Sequence, residues 1–187
     1  MLGLVRLRVY ERRLDAPPPP SVVPPGVEVR VADQPLAAGD SGARWHPQAA
    51  ERLRDGQACA IAHHETEVVA YCWLACTPVW VGEIGHTVVP GPEDVYLYDA
   101  FTMPGWRGRG LFSAVISPLL ALARSRRRSR ALIFVGAGNR ASRRAIERAG
   151  FEIVHTVSRV ELCGLTRLWF RGPRSSRVTL VATQEAR

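Results

Sequence analysis

The chain has 187 residues, 47% of them hydrophobic, enough for one well-buried domain and too few for two. Its formal charge of +8 rests on 25 basic residues, all arginine, so chemistry that needs a lysine is excluded. No apolar run approaches the roughly 20 residues of a membrane span, and Arg6 and Arg8 break the first apolar stretch before a signal-peptide core can form, so a cytoplasmic location without a membrane partner is expected.

Taken from the N-terminus, the expected elements begin indistinctly. Leu2, Leu4, Arg6, Arg8 and Tyr10 alternate too irregularly to distinguish a strand from a short helix. The proline-crowded run from Ala16 to Gly26 lacks ladder donors and favours an extended conformation. Residues 1–26 therefore read as an N-terminal appendage and linker, 27–171 as the domain and 172–187 as a C-terminal tail. Val27 to Ala32 alternates as a half-exposed strand, and Pro47 to Asp55 reads as a helical turn ended by Gly56. Ala58 to His63 and Val68 to Thr77 are strands of a hairpin about His64 to Glu67. Val95 to Met103 is the central strand, and Leu111 to Arg124 is a helix that Pro118 interrupts. Ala131 to Val135 is a short buried strand, and the helix after it ends near Gly150. Phe151 to Leu162 and Leu165 to Phe170 form a last hairpin that turns at Cys163 and Gly164. Antiparallel pairs come first and alternating strands and helices later, a mixed α/β pattern.

Cys59, Cys72, Cys76 and Cys163 form no Cys-x-x-Cys pair and have no spaced histidine partners, so no metal is expected. Arg124, Arg126, Arg127, Arg128 and Arg130 crowd one helix end. They fit a solvated C-terminus that the helix dipole favours better than a nucleic-acid surface, because no aromatics interleave with them.

The segment from Tyr96 to Ser113 reads as a buried strand leading through a glycine-arginine loop into a helix. At such a helix start, backbone N–H groups lack intrahelical partners and carry the positive end of the dipole, which suits a phosphate. Without a lysine the loop cannot be a nucleotide-hydrolysing P-loop, and without a third glycine early in a βαβ unit it is not a dinucleotide fingerprint. What remains is Arg107-x-x-Gly110, with Phe112 at the last small position. About thirty residues on, Asn139-x-x-Ser142 opens a helix that closes at Gly150-Phe151. In this order, over roughly residues 27–171, these motifs resemble the GNAT superfamily of acyl-coenzyme A-dependent N-acyltransferases. The resemblance implies a mixed central sheet of about seven strands with flanking helices, in which two parallel strands splay apart at the cofactor site.

It further implies acetyl-coenzyme A as co-substrate, with pantetheine along Phe101, Thr102 and Met103. Its pyrophosphate would lie on Arg107, Gly108, Arg109, Gly110, Leu111, Phe112 and Ser113, with Asn139 and Ser142 beside the pantetheine. Asn139 and Ser142 serve equally well as helix caps. Relatives often carry a glutamate base at the position of Tyr96 and a tyrosine acid at that of Ile146. Asp99, which interrupts the apolar set Val95, Leu97 and Phe101, is then the leading catalytic or substrate-binding carboxylate, ahead of Glu93 and Asp94, with a structural acid as the other reading. The thiolate either leaves unaided or is protonated by Tyr98 or a water. The acceptor is a primary amine of a small molecule or peptide, in a cleft near Trp45 and His46, Trp80 and the Cys163–Gly164 turn. An arginine-rich nucleic-acid-binding module, or a coenzyme A-binding protein of low activity, is the alternative, and a homodimer stays open.

Overall fold

From Val5 onward the first residues alternate, with Val5, Leu7 and Val9 on one side and Arg6 and Arg8 on the other. They form strand β1 (Leu2–Arg13). The computed structural model describes residues 2–18, 20–34, 46–162, 165–172 and 178–182. After β1 come β2 (Val27–Ala32), α1 (Ala49–Arg54), β3 (Ala58–His64), β4 (Glu67–Ala75), β5 (Val79–Val81) and β6 (His86–Val89). Then follow β7 (Asp94–Thr102), a 3-10 turn (Pro104–Trp106), α2 (Leu111–Ser125), β8 (Arg130–Gly136), α3 (Arg140–Arg148), β9 (Glu152–Leu162), β10 (Leu165–Arg171) and β11 (Thr179–Ala182). Eight strands form one sheet in the order β10-β9-β1-β8-β7-β4-β3-β2. All of its neighbours are antiparallel except β7 and β8.

The mixed α/β architecture expected from the sequence is present, with eight strands in the main sheet rather than about seven. Two expectations about the chain ends are corrected. Residues 2–13 are no appendage, because β1 lies between β8 and β9 and pairs with both, Leu7 opposing Gly136 on one side and Val157 on the other. Leu7, Val9 and Tyr10 are buried, which ties this strand to the core on both faces. Residues 172–187 are more than a tail, since β11 pairs with β6 and completes a second sheet, β11-β6-β5.

Helix α2 packs on one face of the large sheet over Ala60, Cys72, Leu74, Val95 and Leu97, and Ile146 of α3 joins the same core. The small sheet closes over Leu7, Val9, Tyr96, Leu132 and Val157 on the other face. Beside it, Ala49 and Leu53 of α1 pack on Cys59, Ile61 and Trp73. Contrary to the expected interruption, α2 runs through Pro118 as one element, its apolar residues held by the sheet. Cys59 and Cys72 are free buried thiols, and burial pushes both well above the ordinary thiol range, so they act as small hydrophobes.

Candidate active site

Strands β7 and β8 pair only from Asp94–Leu97 to Arg130–Ile133. Both continue, to Thr102 and Gly136, without further pairing between them, so the two parallel strands part after Leu97 and Ile133. A cleft of about 980 Å³ opens there, reaching from Arg107, Gly108 and Gly110 past Tyr96 to Trp80 and Arg52.

At one end of the cleft the chain turns sharply into α2. Gly108 and Gly110 have φ of 78° and 81°, left-handed values that a side chain would strain, and Gly110 is the residue from which the helix starts. The first intrahelical bond runs from Ala114 N to Gly110 O. Among the described residues, the N–H groups from Gly108 to Ser113 make no other hydrogen bond, whereas that of Arg107 is taken by Pro104 O at 3.3 Å. The loop thus offers a row of unclaimed donors on the positive end of a 15-residue helix, a set that fits a pyrophosphate.

Of the residues singled out from the sequence, Tyr96, Tyr98, Asp99, Phe101, Thr102, Arg107, Gly108, Gly110, Leu111, Phe112, Ser113, Asn139 and Ser142 line the cleft. Two do not. Met103 packs against the α2 core and donates its N–H to Val69 O at 2.9 Å, and the Arg109 guanidinium lies 4.9 Å from the centre of the Trp106 ring. Arg107 Nε donates to Thr102 O at 3.2 Å, linking loop and strand. Asn139 caps α3, its Oδ1 accepting from Ser142 N at 3.1 Å, so capping and a place on the cleft wall coincide in one residue.

Toward the other end, the β4–β7 ladder slips. Tyr98 opposes Trp73 and Phe101 opposes Tyr71, leaving Asp99 and Ala100 in a bulge. Asp99 has φ of 47° there, an unusual backbone state that acidic residues tolerate better than most. Its Oδ2 accepts from Arg52 Nη1 at 2.6 Å and from His46 Nε2 at 3.0 Å, while Oδ1 makes no hydrogen bond among the described residues. Gln48 N donates to His46 Nδ1 at 3.2 Å, which fixes the neutral tautomer with its proton on Nε2. Burial and the Arg52 charge hold His46 below its ordinary pKa, outweighing the opposite pull of Asp99. The guanidinium of Arg52 also lies 5.1 Å from the Trp73 ring and 4.9 Å from that of Tyr98.

The two tyrosines differ. Tyr98 donates its hydroxyl proton to Gln57 Oε1, and burial pushes its pKa up to about 12. Tyr96 is 4% exposed, its pKa is raised chiefly by burial, and its hydroxyl makes no hydrogen bond among the described residues. Neither is a base near neutral pH. The other carboxylates considered hold the fold together, since Asp94 pairs with Arg130 at 2.6 Å and Glu93 accepts from Ser129 Oγ at 2.8 Å. The arginine run at the end of α2 is likewise tethered, Arg126 to Asp33 and Arg128 to Pro92 O. Trp45, Cys163 and Gly164 lie outside the described residues. Among those residues no group of His, Cys, Asp or Glu is placed to hold a metal ion, and no helix is long and apolar enough to cross a membrane.

The fold and its splayed strands agree with comparison at the sequence level, where residues 29–151 match the Acetyltransferase (GNAT) family. The chain belongs to the GNAT acetyltransferase family. No curated protein sequence matches it. Among solved structures it is similar to a GCN5-related N-acetyltransferase from Sphaerobacter thermophilus, at 18% identity and a TM-score of 0.60 over 86% of this chain and 52% of that one. A putative GNAT acetyltransferase from Novosphingobium aromaticivorans is 19% identical with a TM-score of 0.56, over 83% of this chain and 63% of that one. The chain thus spans between half and two thirds of these neighbours, and at such identities they support the GNAT fold alone. Sequence reading overlooked Arg52 and Gln57 in this GNAT site. Each lies more than 40 positions from its partner on β7, and no local pattern marks such a pair.

Proposed function

We propose that the protein is an N-acyltransferase that moves an acetyl group from acetyl-coenzyme A directly to a primary amine of a small molecule or peptide. The observation carrying this reading is the row of unclaimed amides from Gly108 to Ser113 at the mouth of the gap between β7 and β8. Those amides hold the pyrophosphate, the Arg107 charge adds attraction, and Phe101 and Thr102 flank the pantetheine. Asn139 and Ser142 line the wall opposite.

Acetyl-coenzyme A supplies a thioester whose C–S bond breaks as the amine forms a C–N bond. The protein's part is to orient the amine and accommodate the charges. Asp99, held through Oδ2, turns Oδ1 to the amine as a hydrogen-bond acceptor, and the proton released leaves to solvent along the open cleft. Arg52 and His46 are positioning residues that act through Asp99. Tyr96 has its hydroxyl uncommitted where the strands part and donates a hydrogen bond to the departing sulfur, whereas Tyr98 is engaged with Gln57 and shapes the wall.

Thermal unfolding with and without acetyl-coenzyme A tests the reading, because a ligand that binds the native state raises the midpoint with concentration. A rise that Arg107→Glu abolishes, together with release of free thiol on adding primary amines, is the expected result. A midpoint indifferent to saturating acetyl-coenzyme A removes the assignment.

A further inference from the structure

Among the described residues, nothing covers the side of the large sheet that carries α2 and α3 across part of β1, β9 and β10. The registers set Leu4, Val160 and Arg167 in one cross-strand row, Arg6, Ser158 and Trp169 in the next, and Arg8, Thr156 and Arg171 in the third. Residues directly opposite in paired strands share a face, and Arg8 Nη1 donates to Thr156 Oγ1 at 2.5 Å within the third row. On this face of β1 the next residue is Tyr10, covered by Glu147 and Arg143 of α3, so the bare area begins where that helix stops.

Trp169, in the middle row, is 52% exposed, and Arg6, Arg167 and Arg171 are exposed as well. None of these three arginines makes a side-chain hydrogen bond or ion pair among the described residues. Among the described residues, the side chain of Arg8 bonds only to the neutral Thr156 hydroxyl. The rows contain no carboxylate. Glu161 lies in the opposite strand phase and pairs with Arg159. This contrasts with Arg126, Arg128 and Arg130 near the end of α2, which are tied to Asp33, Pro92 and Asp94.

We propose that this face docks a single-stranded nucleic acid, with Arg6, Arg8, Arg167 and Arg171 contacting phosphates and Trp169 stacking on a base. Four positive charges without an anionic partner among the described residues call for a polyanion and oppose a second copy of the same face, which would set arginine against arginine. The half-exposed indole among them selects an unpaired base, which offers a flat π-surface that an acidic peptide lacks. The surface lies outside the cleft between β7 and β8, so the inference goes beyond acyl transfer and does not depend on it.

Fluorescence anisotropy of a labelled oligouridylate, with the matching oligodeoxynucleotide in parallel, tests the proposal on the full chain. Four phosphate contacts on a single strand predict about a 50-fold loss of affinity between about 50 and 200 mM salt, and Arg6→Gln with Arg167→Gln should reduce the log–log slope by about 1.4. Trp169→Ala should weaken binding by at least about fivefold, and Trp169→Phe should restore it. All these positions are exposed, so circular dichroism should match the parent. The proposal is overturned if the variants bind as the parent does, if coenzyme A displaces the strand, or if an oligoglutamate of equal length binds as tightly. Self-association that the same substitutions abolish, without strand binding, likewise overturns it in favour of a second copy.

Discussion

The Arg52 guanidinium lies 2.6 Å from the Asp99 carboxylate, joining helix α1 to the bulge of the central strand. Both groups are largely sheltered, with 16% and 32% of their side-chain surface exposed, so water screens the pair only in part. Asp99→Asn keeps the shape and removes the charge. It should lower turnover about 100-fold while leaving the dissociation constant for acetyl-coenzyme A unchanged, as steady-state kinetics and calorimetry would record. The accompanying loss of stability should be about 1–2 kcal/mol, between the values for exposed and buried pairs. Unaltered turnover assigns Asp99 a purely structural role.

His46 gives the Asp99 end of the cleft a pH dependence. Burial and Arg52 lower its pKa, so the folded state prefers the neutral ring. Its stabilising contribution is complete above the ordinary histidine value of about 6.5 and is lost as pH falls through the depressed folded value. His63 is lowered too, by burial and Arg30, so the comparison needs a matched variant. His46→Gln should flatten the acid side of the curve of melting temperature against pH. An unchanged acid limb removes His46 as its source.

Gly110 begins α2 with φ of 81°, and a Cβ there would sit 3.6 Å from Val22 O, so space permits a methyl group but the backbone does not favour it. Gly110→Ala should cost about 1–2 kcal/mol in urea unfolding. It should also erase most of the thermal shift with acetyl-coenzyme A, because relaxing the turn reorients the neighbouring amides. A full shift in the variant separates the turn from ligand binding.

Val9 is fully buried between β8 and β9, at the centre of a strand expected from the sequence to be an appendage. Val9→Ala should destabilise by about 2 kcal/mol. Deleting residues 1–13 should yield an unfolded or aggregated protein, since the deletion leaves two strands without their shared neighbour. Native circular dichroism from the truncated chain contradicts this placement of β1.

Local order in the chain was sufficient for the second half of the fold. The apolar run of β7, the glycines at 108 and 110, and the Asn139 cap before α3 each act within a few residues, so strand, turn and helix can be read in place. The family resemblance rested on that order, and the splayed strands and the residues expected at the cofactor were what the resemblance implied. Tertiary structure alone decided the rest. In β1 the apolar set is Val5, Leu7 and Val9, but Leu4 and Tyr10 on the opposite phase blurred the alternation, because α3 covers only the Tyr10 end of that face. The strands β5, β6 and β11 are too short to show a period and exist through pairing with one another. Arg52, His46 and Gln57 reached Asp99 and Tyr98 because α1 packs on Trp73 of β4, a contact between segments distant in sequence that no local pattern encodes.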